Sequence, residues 1–352
     1  MQLTVLLIAL ICVRWFGTPS WLHFDQWVKP WLEAIAGKSL RNKPWLYWLI
    51  AALVPLAIAA YALQWSAHQS GFLEFIVTAF ILLYSIGRDD FKAQVQGFIA
   101  AVRGADNDAI KAAARELQAS PAEEELANDK AELYHQTLLN AAYRAMERVF
   151  VVFFWFAMLG PLAALAYRIL RVFYSEYQAR RVELNAQQVN VAAEQASSTG
   201  EDSDKQETDA QNMESSEQAP QALEASGQDQ SSAEAKKEAN VEAKGGDFVI
   251  DAKPLNKLLW LLEWPVVRVL GLSFAITGNF MSCMQRWRDS LLCFKTPSKK
   301  VLGNAVGGAL DIDVEKLDCE AICCEMETLQ SLFYRTGLFW LCALAVYLML
   351  AL

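Results

Sequence analysis

Three sets of charged residues in this chain could do chemistry, and each stands at or inside an apolar run. Gly87-Arg88-Asp89-Asp90 follows the run FLEFIVTAFILLYSI. Glu147 and Arg148 open a second run that Arg168 closes, and Glu263 and Arg268 lie within LLEWPVVRVLGLSFAITG. Arginines beside carboxylates at a membrane surface can read a phosphate or a charged head group. Plainer work suits them too. Asp89 or Asp90 can cap the following helix while Arg88 snorkels to lipid phosphate. Glu147, Arg148 and Arg168 can likewise anchor their run at its two interfaces. Glu263 and Arg268 make the stronger case, because an ionisable group held in hydrocarbon is costly and needs a reason. They stand five positions apart, about 140° round a straight helix, so they meet only where the helix bends.

Other chemistries drop out on inspection. AGKS at Ala36–Ser39 matches only the end of a phosphate-binding loop, because Leu32 stands where the first glycine belongs. Neither HExxH nor GxSxG nor a dinucleotide fingerprint occurs. Of the seven cysteines, Cys12 and Cys342 lie in apolar runs as small hydrophobes. Cys319, Cys323 and Cys324 form C-x3-CC, with none of the three histidines nearby. They read as inert thiols of a reducing compartment. No catalytic residue, metal or cofactor is expected.

The elements that must position these charges follow from composition. The chain has 352 residues, of which 54% are hydrophobic, too apolar for an ordinary soluble domain. Its net charge of −9 is misleading, since Glu183 to Asp247 alone holds fifteen Asp/Glu against four Lys. The rest is close to neutral, so the acidity describes a linker and points to no nucleic-acid partner. Twelve Trp sit mostly near the ends of apolar runs, as an interfacial belt places them. The class is an all-α integral membrane protein. Four to five membrane-embedded helical segments are expected, with amphipathic interfacial helices and a disordered insert.

Leu3 to Val13 reads as an uncleaved membrane-entering helix, since no basic residue precedes it and no cleavage site follows. Trp45 to Leu63 is nineteen residues without a charge, about 28 Å of helix and enough to cross the hydrocarbon core. After a polar turn at Ser66–Ser70, Phe72 to Gly87 makes the return span of a hairpin. Phe91, Val95, Phe98, Ile99 and Val102 then form one helical stripe. Gly104 ends that helix, and Asp106 or Asn107 caps the next, through Leu117. Ser120-Pro121-Ala122-Glu123 predicts a capped start to a helix that runs into a third span, Val149 to Tyr167.

The chain thus divides into a membrane half over 1–177, a disordered acidic linker over 178–250 and a membrane-associated half over 251–352. In the last part, Pro265 predicts a break and a re-entrant or interfacial segment. Cys283 to Phe294 reads as amphipathic helix, Gly303 to Leu310 as a small-residue turn and Thr336 to Leu352 as a terminal span. Basic loops before Trp45 and after Gly87 both vote for the cytoplasm.

Several of these stretches resemble the AmpE family: a hydrophobic start closing in GTP, the hairpin, YSIGRDD, ERVFVVFFWFAMLGPLAALAYRI and LLEWPVVRVLGLSFAITG. The resemblance covers about Met1 to Arg180 and Lys253 to Leu310. It implies a multi-pass bacterial inner-membrane protein of β-lactamase induction, and a fold similar to the CobD/CbiB membrane synthases of cobalamin assembly. Those synthases carry a polar S-D-G element entering the third span and N-T-L-D-S-M leaving it. Here the entry reads NAAYRAMERVFVV and the exit RILRVFYS, while FDQWVKPW stands near the synthases' early His-Pro element.

The scaffold is kept and the substrate-orienting set is lost, which implies a regulator and not an enzyme. On this reading Arg88, Asp89, Glu147, Arg148 and Arg168 line one interfacial polar patch, with Glu263 and Arg268 close by. A protein or a cell-wall fragment binding there would shift the packing of the two halves, in response to antibiotic or envelope stress. The lipid bilayer is the other expected partner. The alternative is a cobinamide-type synthase with a rebuilt site.

Overall fold

An unbroken apolar run in lipid must satisfy its own backbone, so it folds as helix. In the computed structural model, which describes residues 25–35, 43–86, 91–118, 126–200, 251–291, 296–312 and 318–351, every regular element among those residues is helical. A short turn at Asp25–Trp27 leads into α1 (Val28–Ile35), followed by α2 (Pro44–Gln69) and α3 (Gly71–Ser85). Then come α4 (Phe91–Arg103), α5 (Asn107–Leu117) and α6 (Lys130–Ala145). A π-helical turn at Met146–Phe150 joins α6 to α7 (Val151–Leu159), and α8 runs from Pro161 to Gly200. The remaining helices are α9 (Lys253–Thr277), α10 (Phe280–Leu291), α11 (Ser298–Ala309) and α12 (Cys319–Ala351). The runs expected at Leu3–Val13, Ala36–Ser39 and Ser120–Glu123 lie outside the described residues, as do Arg88 and Asp89.

Among the described residues, three helices are long and apolar enough to cross a membrane: α2, α9 and α12 up to Tyr347. Helix α3 is a shorter apolar helix. Ser70 alone turns the hairpin, its hydroxyl accepting the Leu73 N–H as N-cap of α3. Large apolar side chains face outward along it, including Leu53, Ile58, Phe72 and Phe80. Water would oppose such a surface, whereas lipid matches it. Trp45 and Trp65, both exposed, stand near the two ends of α2, where indoles prefer the interface.

The amphipathic stripe of α4 is buried at Val95, Phe98, Ile99 and Val102, and Asp106 caps α5 through Leu117. Elsewhere the chain departs from its pattern. Helix α6 starts at Lys130, because the Asp129 carboxylate accepts the Glu132 N–H and fixes the N-terminus there. The expected third span, Val149–Tyr167, is not one helix. Gly160 adopts φ 89°, a left-handed conformation that glycine alone takes cheaply, and it separates α7 from α8.

Pro265 does not break α9, which continues through it and is long and apolar enough to cross a membrane. Proline withholds the one N–H that would serve the Leu261 carbonyl, a loss that packed transmembrane helices tolerate, and side chains donate to two other carbonyls nearby. Trp155 donates to Leu262 at 3.1 Å and Arg268 to Trp264 at 3.1 Å. Gly303–Leu310, read as a turn, lies mostly within α11. Its glycines serve close packing, which overrides their weak helix propensity.

Residues Met1–Gln178 and Asp251–Leu352 form one compact unit, and Ala179–Ile250 a second. The two stretches flanking the acidic segment therefore fold together. Trp48 of α2 donates to the Asp251 carbonyl at 3.1 Å, and the Thr277 and Thr336 hydroxyls meet at 2.9 Å between α9 and α12. Trp340 of α12 packs on Phe150 and Phe153. The described part of the second unit continues α8 to Gly200, where composition predicts no regular structure. Its Arg, Glu, Gln and Ala are good helix formers, and the sequence reading counted only their failure to build a core.

Helices α9, α10 and α11 approach closely at glycine. A Cβ on Gly308 would stand 2.6 Å from the Cys283 Cα and 2.8 Å from the Ser282 carbonyl oxygen, and neither backbone atom can swing aside. Gly308→Ala should therefore cost about 1–3 kcal/mol by overpacking. Gly337→Ala, where a Cβ would meet nothing within 4 Å, should instead leave stability unchanged or raise it by up to about 1 kcal/mol. Thermal unfolding of the purified protein in one detergent separates the two; equal melting temperatures would count against close helix packing at Gly308.

Candidate functional site

Apolar periodicity builds these helices, yet two of them also carry polar residues at helical spacing. Along α6 and the π-turn, Asn140, Tyr143 and Glu147 repeat at three and four positions. Along α8, Tyr167, Arg171, Tyr174 and Gln178 repeat at four, three and four. Such spacing puts each set on one face. All four α8 residues are buried, so both polar stripes point inward and meet. Gln178 donates to the Tyr174 hydroxyl at 2.8 Å, closing the stripe at its far end.

Glu263 enters from α9, on the same buried face as Leu255, Leu259 and Val266. It is 3% exposed. Its two oxygens are shared between helices: Tyr143 donates to Oε2 at 2.8 Å, and Tyr167 donates to Oε1 at 3.2 Å. Burial, and then the charge of Glu263, pushes the Tyr143 phenol well above its ordinary pKa. The group stays protonated and remains a donor. Beside it the Arg171 guanidinium pairs through Nε with Glu147, both side chains being almost buried at 10% and 13% exposure. Arg171 also stacks within 5.8 Å of the Tyr143 ring and 5.5 Å of the Tyr174 ring. Two carboxylates, one guanidinium and three phenols thus form a connected set.

Tyr143, Arg171, Tyr174 and Glu263 of this set line a cavity of about 540 Å³ between α6, α8, α9 and the first turn of α11. Glu263 and Arg171 lie at its buried side. Glu132 and Lys300, both exposed, and the half-buried His135 and Lys299 lie at its open side. Two further lining groups are unusual. Asn140 Nδ2 and Ser298 Oγ are fully buried and have no hydrogen-bond partner in the protein. The cavity therefore has a saturated side, whose polar atoms hold one another, and a side with hydrogen-bonding capacity to spare.

Among the described residues, the charges expected to share one interfacial patch are divided. Glu147 and Glu263 come together around Arg171. Arg168 lies elsewhere round α8, where Nη2 donates to Asp25 Oδ2 at 3.1 Å; Tyr84 donates to the other oxygen of that carboxylate at 3.1 Å. This pins the Asp25–Trp27 turn to α3 and α8. Arg168 directly follows Tyr167, a step of about 100° round the helix, which is why one faces Asp25 and the other Glu263.

Arg268 does not meet Glu263 either. It lies over the Trp264 ring at 4.4 Å and donates to the Trp264 carbonyl one turn back. Arg148 is half-buried on the π-turn. Arg88 and Asp89 lie outside the described residues. Tyr143, Tyr167, Arg171 and Tyr174 are not among the residues singled out from sequence; the signal that marks them is the helical spacing of polar residues along α6 and α8.

No family model matches the chain, and no curated protein or solved structure matches it.

Removing the arginine should expose how the set is held. Arg171→Met leaves the Glu147 carboxylate buried without its counter-ion and should cost about 3–5 kcal/mol. Adding Glu147→Met removes the stranded charge, so the double variant should recover most of that loss. Denaturant unfolding of the two singles and the double measures the coupling. Additive effects would show that the pair is not the buried contact described.

Proposed function

We propose that this membrane protein is a regulator that takes a small polar ligand into the cavity between α6, α8, α9 and α11. The observation that carries this reading is Glu263, one buried carboxylate whose two oxygens bind donors from two other helices. Both donors precede the acidic segment in the chain, and α9, which carries Glu263, follows it. A ligand that competes for these hydrogen bonds changes how the two stretches pack. Polar groups that saturate one another suit a lock between helices better than a poised catalytic set, so the role is regulatory and not enzymatic.

The sequence resemblance to AmpE supplies the process: β-lactamase induction at the bacterial inner membrane, under antibiotic or cell-wall stress. A cell-wall fragment or a protein is the partner on this reading, and the protein crosses the membrane several times. Arg88, Asp89, Arg148, Arg168 and Arg268 then serve anchoring and packing more than ligand contact. The contacts of Arg168 and Arg268 with Asp25 and Trp264 support that division.

A second reading has one observation in its favour. The cavity does gather carboxylate, guanidinium, phenols and lysines, a richer polar set than the entry and exit sequences suggested. A cobinamide-type membrane ligase with a rebuilt site would use such a set, and it would restore cobalamin formation to a strain lacking the synthase.

The regulatory reading is tested by Glu263→Gln. The amide keeps the shape, removes the charge and turns one acceptor into a donor facing a phenol. Induced β-lactamase activity should change several-fold in cells carrying this variant, at equal membrane abundance and in the same direction as deletion of the gene. Induction unaltered by the deletion itself would end the regulatory reading.

A further inference from the structure

The side of the cavity with spare hydrogen-bonding capacity has a definite chemistry. Helix α11 begins there, and its N-cap is Pro297, which has no side-chain acceptor with which to cap the first turn. The first turn of a twelve-residue helix concentrates partial positive charge and aims N–H groups outward, which favours an anion. Helix termini are common, and this one alone would carry nothing. Here, however, Ser298, its first residue, is only 4% exposed and lines the cavity with an unpartnered Oγ. Across the cavity Asn140 of α6 is 1% exposed, and its Nδ2, an obligate donor, is also unpartnered. Lys299 and Lys300, the next two residues of α11, line the same cavity. A buried amide donor without an acceptor is costly, so a fold that retains one in a cavity shared with a helix N-terminus and two lysines is built to receive an acceptor.

From this juxtaposition we propose that the α11 end of the cavity is a phosphate-binding subsite, formed by Ser298, Asn140, Lys299, Lys300 and the N-terminus of α11. The inference rests on the reading above only for the cavity being the ligand site, and it names the ligand's chemistry: a small molecule or head group bearing a phosphate. Arg171 is not its anchor, being committed to Glu147. Glu132 on the same rim disfavours a highly charged polyphosphate and so suits a single phosphate group. Tetrahedral oxygens can accept from the hydroxyl, the amide and the helix N–H groups at once, while the lysines supply charge. The phosphate could belong to a soluble molecule or to a phospholipid, and the two sources are distinguishable.

The test uses the full chain in nanodiscs of zwitterionic lipid, with inorganic phosphate as the probe and Trp260, which lines the cavity, as one reporter of binding. Calorimetry should show saturable binding that Ser298→Ala weakens about ten-fold, by loss of one hydrogen bond to a charged group. Asn140→Asp, which keeps the shape and adds a repelling carboxylate, should abolish it. In a parallel arm, phosphorus retained after purification is counted by lipid extraction. Phospholipid retained by the parent and lost in Asn140→Asp, with no response to free phosphate, assigns the site to a lipid head group.

Either pattern supports the subsite. If neither free phosphate nor retained phospholipid responds to Ser298→Ala or Asn140→Asp, in variants that melt with the parent, the proposal is overturned. Glu263→Gln altering induction in that same case would leave the regulatory reading standing without this ligand.

Discussion

Glu263 is a carboxylate buried in a helix apolar enough to cross a membrane, and the rest of the core is arranged around keeping it there. Isolated, such a group would cost several kcal/mol, whichever protonation state it adopted. Two phenols from α6 and α8 share its oxygens, and the Glu147–Arg171 pair lies alongside. None of these residues can be satisfied alone, because each depends on a partner carried by another helix. The hydrogen bonds add little net stability, but they specify one way for the helices to meet. Apolar packing alone would permit several.

Close backbone approach supplies the precision that these contacts need. Gly271 lies against the Trp287 ring, and Gly308 lies against the backbone of Cys283. Helices α9, α10 and α11 are thereby drawn together, and α11 arrives with its first turn beside the polar stripe of α6. The π-turn at Met146–Phe150 acts on the same problem from the other side. It contains Glu147 and shifts the register between α6 and α7, so that a carboxylate faces Arg171 while Phe150 still packs against Trp340.

Hydrophobic runs made the hairpin, the amphipathic α4–α5 pair and the terminal helix readable from sequence, because length and apolar period carry that signal directly. Two kinds of feature escaped. Gly160 splits the third run through a single left-handed residue, and Pro265 fails to split the fourth, since a packed helix tolerates one missing N–H. In both cases tertiary surroundings decide what a local rule leaves open. The site was half legible. Glu147 and Glu263 drew notice as charges in lipid, whereas Tyr143, Tyr167 and Tyr174 hid among aromatics that looked like packing. Their hydroxyls matter only once a carboxylate from a distant stretch is placed between them. Arg168 and Arg268 show the converse, conspicuous charges of which one fastens a distant turn through Asp25 and the other lies over the ring of Trp264, one turn back on its own helix.

That Glu263 takes its donors from helices made much earlier in the chain has a consequence for biogenesis. Tyr143, Tyr167 and Arg171 leave the ribosome long before α9 is translated, with the whole acidic segment still to come between them. Through that interval Arg171 already has Glu147, but the inward-facing hydroxyls of Tyr143 and Tyr167 await a carboxylate that does not yet exist. Insertion of α9 is thus the step that completes the earlier helices, and the length of the acidic segment sets how long they must wait.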